Sequence, residues 1–256
     1  MKVDLNADYG ESYGNLKVGE DERILNFVTS INIGCGFHGG DPTTMRKIVQ
    51  LAKIHNVSIG AHPSFPDLMG FGRREMKIEE FDLENILIYQ IGALEAMVEI
   101  EGMEIQHVKP HGALYNMAVK DKELARIISR AIKKINKNYM LVALANSQFA
   151  KTAEDEGCRV AYEAFLDRRY NSKGELVPRT VKGSLIENRE EILNQLERMV
   201  LYQKIKTVEG GEIPIKFHTL SLHSDTPGAV ELIQSAREKL DKLGVEVCPL
   251  SQIILL

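Results

Sequence analysis

Four histidines, His38, His62, His111 and His223, each end a short apolar segment in a different part of the chain, and Asp8 and Glu163 stand in the same kind of position. Carboxylates and imidazoles are the side chains of general acid–base catalysis and of divalent-metal binding. One histidine in such a place is usually structural; four, joined by two acids at equivalent segment ends, are better explained as one site. Side chains alternate along a strand. Over residues 2–8, Val3, Leu5 and Ala7 share one face, and Asp4, Asn6 and Asp8 the other. Farther on, Val108 and Pro110 oppose His107, Lys109 and His111; Glu163 aligns with Ala161 against Val160 and Tyr162. His218, Leu220 and Leu222 likewise oppose Thr219, Ser221 and His223. An ordinary parallel strand is apolar on both faces. Solvated edge strands favour Lys, Glu and Thr, whereas these polar faces carry Asp, Asn and His, which points to a shared functional lumen.

The stretch NIGCGFHGGDP, residues 32–42, fits G-x-G-x-x-G literally. A dinucleotide site also needs an acid about twenty residues on. No Asp or Glu occurs between Asp41 and Asp67, and Asp41 itself would repel a pyrophosphate at the helix start. A Walker A sequence is absent too. A Cys35-x-x-His38 metal pair is possible on spacing, but parity puts Cys35 with Ile31 and Ile33 as a buried thiol. Asn32, Gly34, Gly36 and His38 take the opposite face, where the glycines are expected to leave room for a ligand. Two loop-like segments, 63–74 and 167–184, carry Arg73, Arg74, Arg168 and Arg179. Around one polar mouth these would capture a carboxylate or phosphate.

The elements that must position these residues alternate. Strands are expected over residues 2–8, 28–34, 57–62, 105–109, 140–145, 159–163, 216–222 and 245–249. Helices are expected over 43–55, 78–101, 121–135, 188–204 and from Asp225 to 243, with Asp41-Pro42 as an N-cap and first helical residue. Seven or eight repeated strand–helix units predict one α/β domain over residues 1–256, its parallel strands closed into a barrel; a doubly wound open sheet is the alternative. The 256 residues carry a net charge of −4 and no basic block, which argues against a nucleic-acid partner. No apolar run approaches a membrane span, and acids stand where a signal peptide needs its apolar core. Three cysteines far apart give no disulfide framework, so a cytoplasmic protein with reduced thiols is expected.

Six blocks in order, DLNADYGE, NIGCGFHGGDP, GAHPSFPD…GFGRR, KPHGALYN, EAFLDRRY…LVPR and LHSDTPGA, together resemble the lactam-utilisation protein family. The match runs from Asp4 to about Ala229; Gly34 and Gly39 stand where the family usually has alanine, and Ser224 where it has glycine. The resemblance implies a seven-stranded barrel similar to that of the polysaccharide deacetylases. It also implies the role of the A subunit in a bacterial 5-oxoprolinase: opening 5-oxo-L-proline to L-glutamate, with ATP as co-substrate, Mg2+, and partner subunits B and C.

On that reading Asp8, or failing it Glu11, is the general base, its pKa raised by burial. His38, His62 and His111 donate protons or stabilise an oxyanion, and Lys109 meets phosphoryl oxygens, since a cation in a lumen requires an anion nearby. Asn6, Arg73, Glu163, Asp167, Arg168, Arg179, His223 and Asp225 are expected to hold the substrate, with Arg168 or Arg179 clamping its carboxylate. Two other readings use the same residues. A divalent metal on Asp8, His38, His62 and neighbours would serve an N-acyl or carbohydrate deacetylase, with His107 and His111 at H-x-x-x-H spacing. A non-catalytic lactam-binding subunit would leave ATP to its partners.

Overall fold

The computed structural model describes residues 1–19, 21–223 and 228–254. Strands and helices alternate as β1 (Lys2–Tyr9), β2 (Ser30–Gly34), α1 (Pro42–His55), β3 (Ser58–His62), α2 (Glu80–Ile100), β4 (Ile105–Val108), α3 (Gly112–Ala118) and α4 (Lys122–Ile135). Then follow β5 (Met140–Leu144), α5 (Gln148–Asp155), β6 (Arg159–Phe165), α6 (Arg189–Tyr202), β7 (Lys204–Lys206), β8 (Glu212–Pro214), β9 (Thr219–Leu222), α7 (Ala229–Lys242) and β10 (Glu246–Val247). Strands β1 to β6 and β9 pair in parallel in that order, and β9 returns to β1, so seven strands close a barrel. The closing register sets Asp4 against Thr219 and Asn6 against Ser221.

The expected eighth strand is not a stave. β10 pairs only with Lys2 and Val3, at the start of β1, because β9 occupies β1 from Asp4 onward. The seventh stave begins later than expected, at Thr219. His218 turns outward, its N–H donating to Tyr162 O and its ring Nδ1 accepting the Tyr162 N–H. Helices α3 and α5 were not expected from the pattern, nor was the antiparallel hairpin β7–β8. The start of the last helix was placed at Asp225, which lies outside the described residues; α7 is capped by Gly228. Asp41 caps α1, accepting from the N–H groups of Thr43 and Thr44, with Pro42 at the first position. No helix among the described residues is long and apolar enough to cross a membrane.

The core lies between barrel and helices. Val3, Leu5 and Ala7 of β1, Ile31 and Ile33 of β2, and Ile59 and Ala61 of β3 are all fully covered there. Burial of these apolar faces supplies most of what holds helices on barrel. The other face of each strand fills the lumen with polar groups that must satisfy one another. At its base, Asp4 accepts from Thr29 Oγ1 at 2.7 Å, Ser30 Oγ at 2.9 Å and Thr219 Oγ1 at 2.6 Å.

Burial raises the Asp4 carboxyl to about 6, although those three hydroxyls pull it down. An unfolded-chain aspartate titrates near ~4. Between those values the folded state binds more protons than the unfolded one. The stabilisation is therefore complete below ~4 and is lost as pH rises through about 6. Asp4→Asn removes this titration. In urea unfolding, the stability of the parent relative to Asp4→Asn is expected to fall by on the order of 2–3 kcal/mol between pH 4 and pH 7. A gap independent of pH would show that Asp4 does not titrate in this way.

Candidate active site in the barrel lumen

Lys109 follows β4 and reaches into the lumen. Its Nζ lies 2.9 Å from Asp8 Oδ1 on β1, 2.7 Å from Glu163 Oε1 on β6 and 3.3 Å from Ser221 Oγ on β9, over the Phe165 ring. Tyr115 of α3 donates to Glu163 Oε2 at 2.8 Å, and Asn6 Nδ2 approaches Oε1 at 3.3 Å. Asn32 ties the layers together, donating to Asn6 Oδ1 at 2.9 Å and to Asp8 Oδ1 at 2.8 Å. Its own Oδ1 accepts from His107 Nε2 at 2.7 Å. Gly60 makes room for that ring: a Cβ there would stand 2.1 Å from His107 Nε2.

Two expectations change here. The anion demanded by the buried Lys109 is supplied by Asp8 and Glu163 rather than by a ligand. Asp8 is not raised into the range of a general base. Burial pushes its carboxyl up, but Lys109 and His62 outweigh burial and hold it well below the usual value. Glu11 is held low as well, since the His111 and His38 rings against it outweigh burial. Both acids are therefore ionised at neutral pH. Burial resists charge on Lys109, yet Asp8 and Glu163 keep it firmly protonated.

Above this layer three imidazoles and Glu11 converge. Glu11 Oε1 lies 3.0 Å from His38 Nε2, 3.1 Å from His111 Nδ1 and 3.9 Å from His62 Nε2. His62 Nε2 is 3.0 Å from His111 Nδ1 and 3.5 Å from Asp8 Oδ2. The far nitrogens of two rings face carbonyls: His62 Nδ1 lies 2.6 Å from Lys109 O, and His111 Nε2 lies 2.8 Å from Phe71 O. A carbonyl only accepts, so those nitrogens carry the hydrogens. In the neutral rings the inward nitrogens are then bare and face each other. Burial keeps His111 below its ordinary value and, with the neighbouring His111, brings His38 down to about 3. Burial also acts against charge on His62, but Asp8 and Glu11 outweigh it and raise that ring. The field at His62 Nε2 calls for positive charge.

All four donor atoms of Glu11, His38, His62 and His111 lie within 4.8 Å of one another, a donor set that suits zinc, manganese or iron. His107 is not part of it. It sits one layer down, neutral, its value lowered to about 3 by burial and by Lys109, so the H-x-x-x-H spacing does not form a pair. Cys35 is no ligand either: its Sγ–H faces Ile33 O at 3.1 Å, and burial pushes the thiol up to about 12. Of the two glycines expected to make room for a ligand, Gly34 does not, whereas a Cβ on Gly36 would meet only Gly40 O at 3.9 Å. Gly34, Gly39 and Gly40 lie against the backbone of Gly10, Glu11 and one another, and a Cβ on Gly40 (φ +77°) would stand 2.0 Å from Gly34 O.

The lumen opens into a cavity of about 580 Å³ lined by Asp8, Glu11, His62, Lys109 and His111 below and by Arg73, Arg168, Arg179 and His223 above. Arg168 is buried. Its Nη2 donates to Val177 O at 2.7 Å, and its Nε has no hydrogen-bond partner among the described residues. Burial and the nearby Arg179 lower its guanidinium to about 10. Asp167 turns from Arg168 to His223, accepting from the backbone N–H at 3.1 Å and facing ring Nδ1 at 2.6 Å. Arg73 stacks over Phe71. Arg74 leaves the expected rim, because it pairs with Asp67. Asn6 stays below the cavity as a strut, and Asp225 lies outside the described residues. Sequence reasoning missed Tyr115, although it sits in the KPHGALYN block, because α3 was not expected.

The comparisons with known proteins agree with one another. Over 254 residues the chain is 50% identical to the 5-oxoprolinase A subunit of Coprothermobacter proteolyticus, covering 99% of this chain and 97% of the relative. It is 48% identical to the 5-oxoprolinase A subunit of Pyrococcus abyssi, covering 99% and 100%. The crystal structure of the lactam utilization protein from Thermus thermophilus superposes with a TM-score of 0.91 at 46% identity, covering 97% of this chain and 99% of that one. The LamB/YcsF family model matches residues 3–255, and the chain belongs to the LamB/YcsF family.

Proposed function

We propose that this chain is the A subunit of a 5-oxoprolinase, opening 5-oxo-L-proline to L-glutamate with ATP hydrolysis and with partner subunits B and C. The observation that carries the reading is the polarity of one cavity. Its floor joins Asp8 and Glu163 through Lys109, beneath the inward nitrogens of His62 and His111, and its rim carries Arg73, Arg168 and Arg179. Such a cavity suits a small acid whose carboxylate meets the arginines while its amide carbon lies over the floor. The names of the full-length relatives support the same reading.

The lactam amide is resonance-stabilised and a poor electrophile. ATP, with Mg2+, transfers its γ-phosphoryl group to the lactam oxygen, which makes the ring carbon electrophilic. Water adds to that carbon, the ring C–N bond breaks as nitrogen takes a proton, and a second water hydrolyses the resulting acyl phosphate to glutamate and phosphate. Asp8 Oδ2 and the inward nitrogens of His62 and His111 enclose the place where water is polarised. Arg168, with its unpartnered Nε, is the carboxylate clamp; Arg73, Arg179 and the Asp167–His223 pair shape the mouth. Lys109, Glu163, Asn6 and Tyr115 hold Asp8 in place and in charge. His38 holds Glu11 and stacks on the His111 ring. A second reading, a metal-dependent amide hydrolase working without ATP, is favoured by the facing bare nitrogens.

Assay of purified A, B and C, each omitted in turn, is expected to give glutamate only with A present and only with ATP; ATP-independent product would select the second reading. In the same assay Asp8→Asn is expected to lower turnover by about 10²-fold or more. Near-normal turnover would remove Asp8 from the chemistry. Arg168→Lys keeps the charge but loses the fork, so KM for 5-oxoproline is expected to rise by about tenfold or more, with kcat much less affected. An unchanged KM would move the carboxylate clamp elsewhere on the rim.

A further inference from the structure

We propose that the lumen is a built site for one divalent transition-metal ion, ligated by His62 Nε2, His111 Nδ1 and Glu11 Oε1, with Asp8 Oδ2 in reach as a fourth ligand and His38 as a positioning residue on Glu11. With both rings neutral, three donor atoms that carry no hydrogen face one another at the floor of the cavity. His62 Nε2 and His111 Nδ1 are 3.0 Å apart, and Glu11 Oε1 lies 3.1 Å from one and 3.9 Å from the other. Lone pairs at such distances repel unless a positive charge lies between them. Asp8 Oδ2 adds a fourth atom 3.5 Å from His62 Nε2, while Oδ1 is committed to Lys109 and Asn32. A tetrahedral ion with bonds of about 2 Å sets its ligand atoms about 3.3 Å apart, within the range from 3.0 to 3.9 Å found here.

The surroundings are those of a metal site. His62 and His111 each give their other N–H to a backbone carbonyl, Lys109 O and Phe71 O, which fixes tautomer and ring orientation. The two rings stand at 85°, so one ion can lie near both ring planes. His38 cannot join them. Its ring is parallel to that of His111 within 2°, with centroids 3.7 Å apart, so an ion in the plane of one lies far out of the plane of the other. Its Nε2–H instead donates to Glu11, and its buried Nδ1 is left without a partner among the described residues. Charge agrees as well: among the described residues three carboxylates, Asp8, Glu11 and Glu163, gather in this part of the lumen around one ammonium, that of Lys109.

The inference rests on this geometry and not on the lactam reading, so it is tested by binding, without ATP, lactam or partner subunits. The full chain is stripped with a chelator, titrated with Zn2+ by calorimetry, and loaded with Co2+ for metal analysis and visible absorption. One equivalent per chain with intense tetrahedral Co2+ bands is expected, in the parent and in His55→Ala, a control for surface imidazole. His62→Ala and Glu11→Gln, checked for folding by circular dichroism, are expected to lose the bands, and His38→Gln to keep the stoichiometry at about 10–100-fold weaker affinity. A parent that takes up no ion, or a folded His62→Ala that takes it up as well as the parent, overturns the site. Loss of the bands in His38→Gln as complete as in His62→Ala overturns the assignment of His38 as a positioning residue. None of these outcomes bears on whether the chain opens 5-oxoproline.

Discussion

A single ammonium group, Lys109 Nζ, governs the lumen. It is buried, and it binds carboxylates from two different strands, Asp8 on β1 and Glu163 on β6. Removing one member of such a group strands charge in a largely buried site, at a cost of several kcal/mol. The surrounding groups keep the triad satisfied: Tyr115 and Asn6 complete Glu163, Asn32 completes Asp8, and Ser221 adds a contact to the ammonium. Because the triad spans the barrel, its geometry depends on closure of the sheet by β9 onto β1.

The same triad decides what chemistry the acids can do. A buried aspartate alone would titrate upward, and Asp4 does so at the base of the barrel, where only hydroxyls meet it. Asp8, farther along the same strand face, goes the other way because Lys109 and His62 reach it. Two aspartates on one strand thus differ by what lies across the lumen. Asp8 is thereby a permanent anion that accepts hydrogen bonds and attracts a cation, and a weak base.

Much of this was legible in the chain because strand alternation is local. Asp4, Asn6 and Asp8 against Val3, Leu5 and Ala7 mark the lumen side of β1, and His107 with Lys109 and His111 mark it on the fourth segment. What parity cannot give is the partner. Lys109 and Asp8 are 101 positions apart, and nothing near either residue shows that they meet. Nor does a glycine say what it makes room for. The run around Cys35 accommodates the Gly10–Glu11 backbone and its own turn, while Gly60, in no glycine run, accommodates His107. Arg74 looked like its neighbour Arg73 but is taken by Asp67, which the loop folds back to meet it. Helices α3 and α5, of 7 and 8 residues, are too short for a periodic pattern to stand out.

Floor and rim of the cavity carry opposite charge. Below are Asp8, Glu11 and Glu163 with one ammonium; above are Arg73, Arg168 and Arg179, with Asp167 drawn off to His223. A field of that shape turns a small carboxylic acid so that its anionic end faces outward and its electron-poor carbon points down. It also resists an anion settling on the floor. A phosphoryl group delivered to the lactam oxygen would be held against the imidazole layer and not beside Asp8, unless a cation offsets the carboxylates there. The charge left over in the lumen and the orientation required of the substrate therefore lead to one conclusion: the positive charge the floor lacks belongs between His62, His111 and Glu11, where the bare donor atoms already converge.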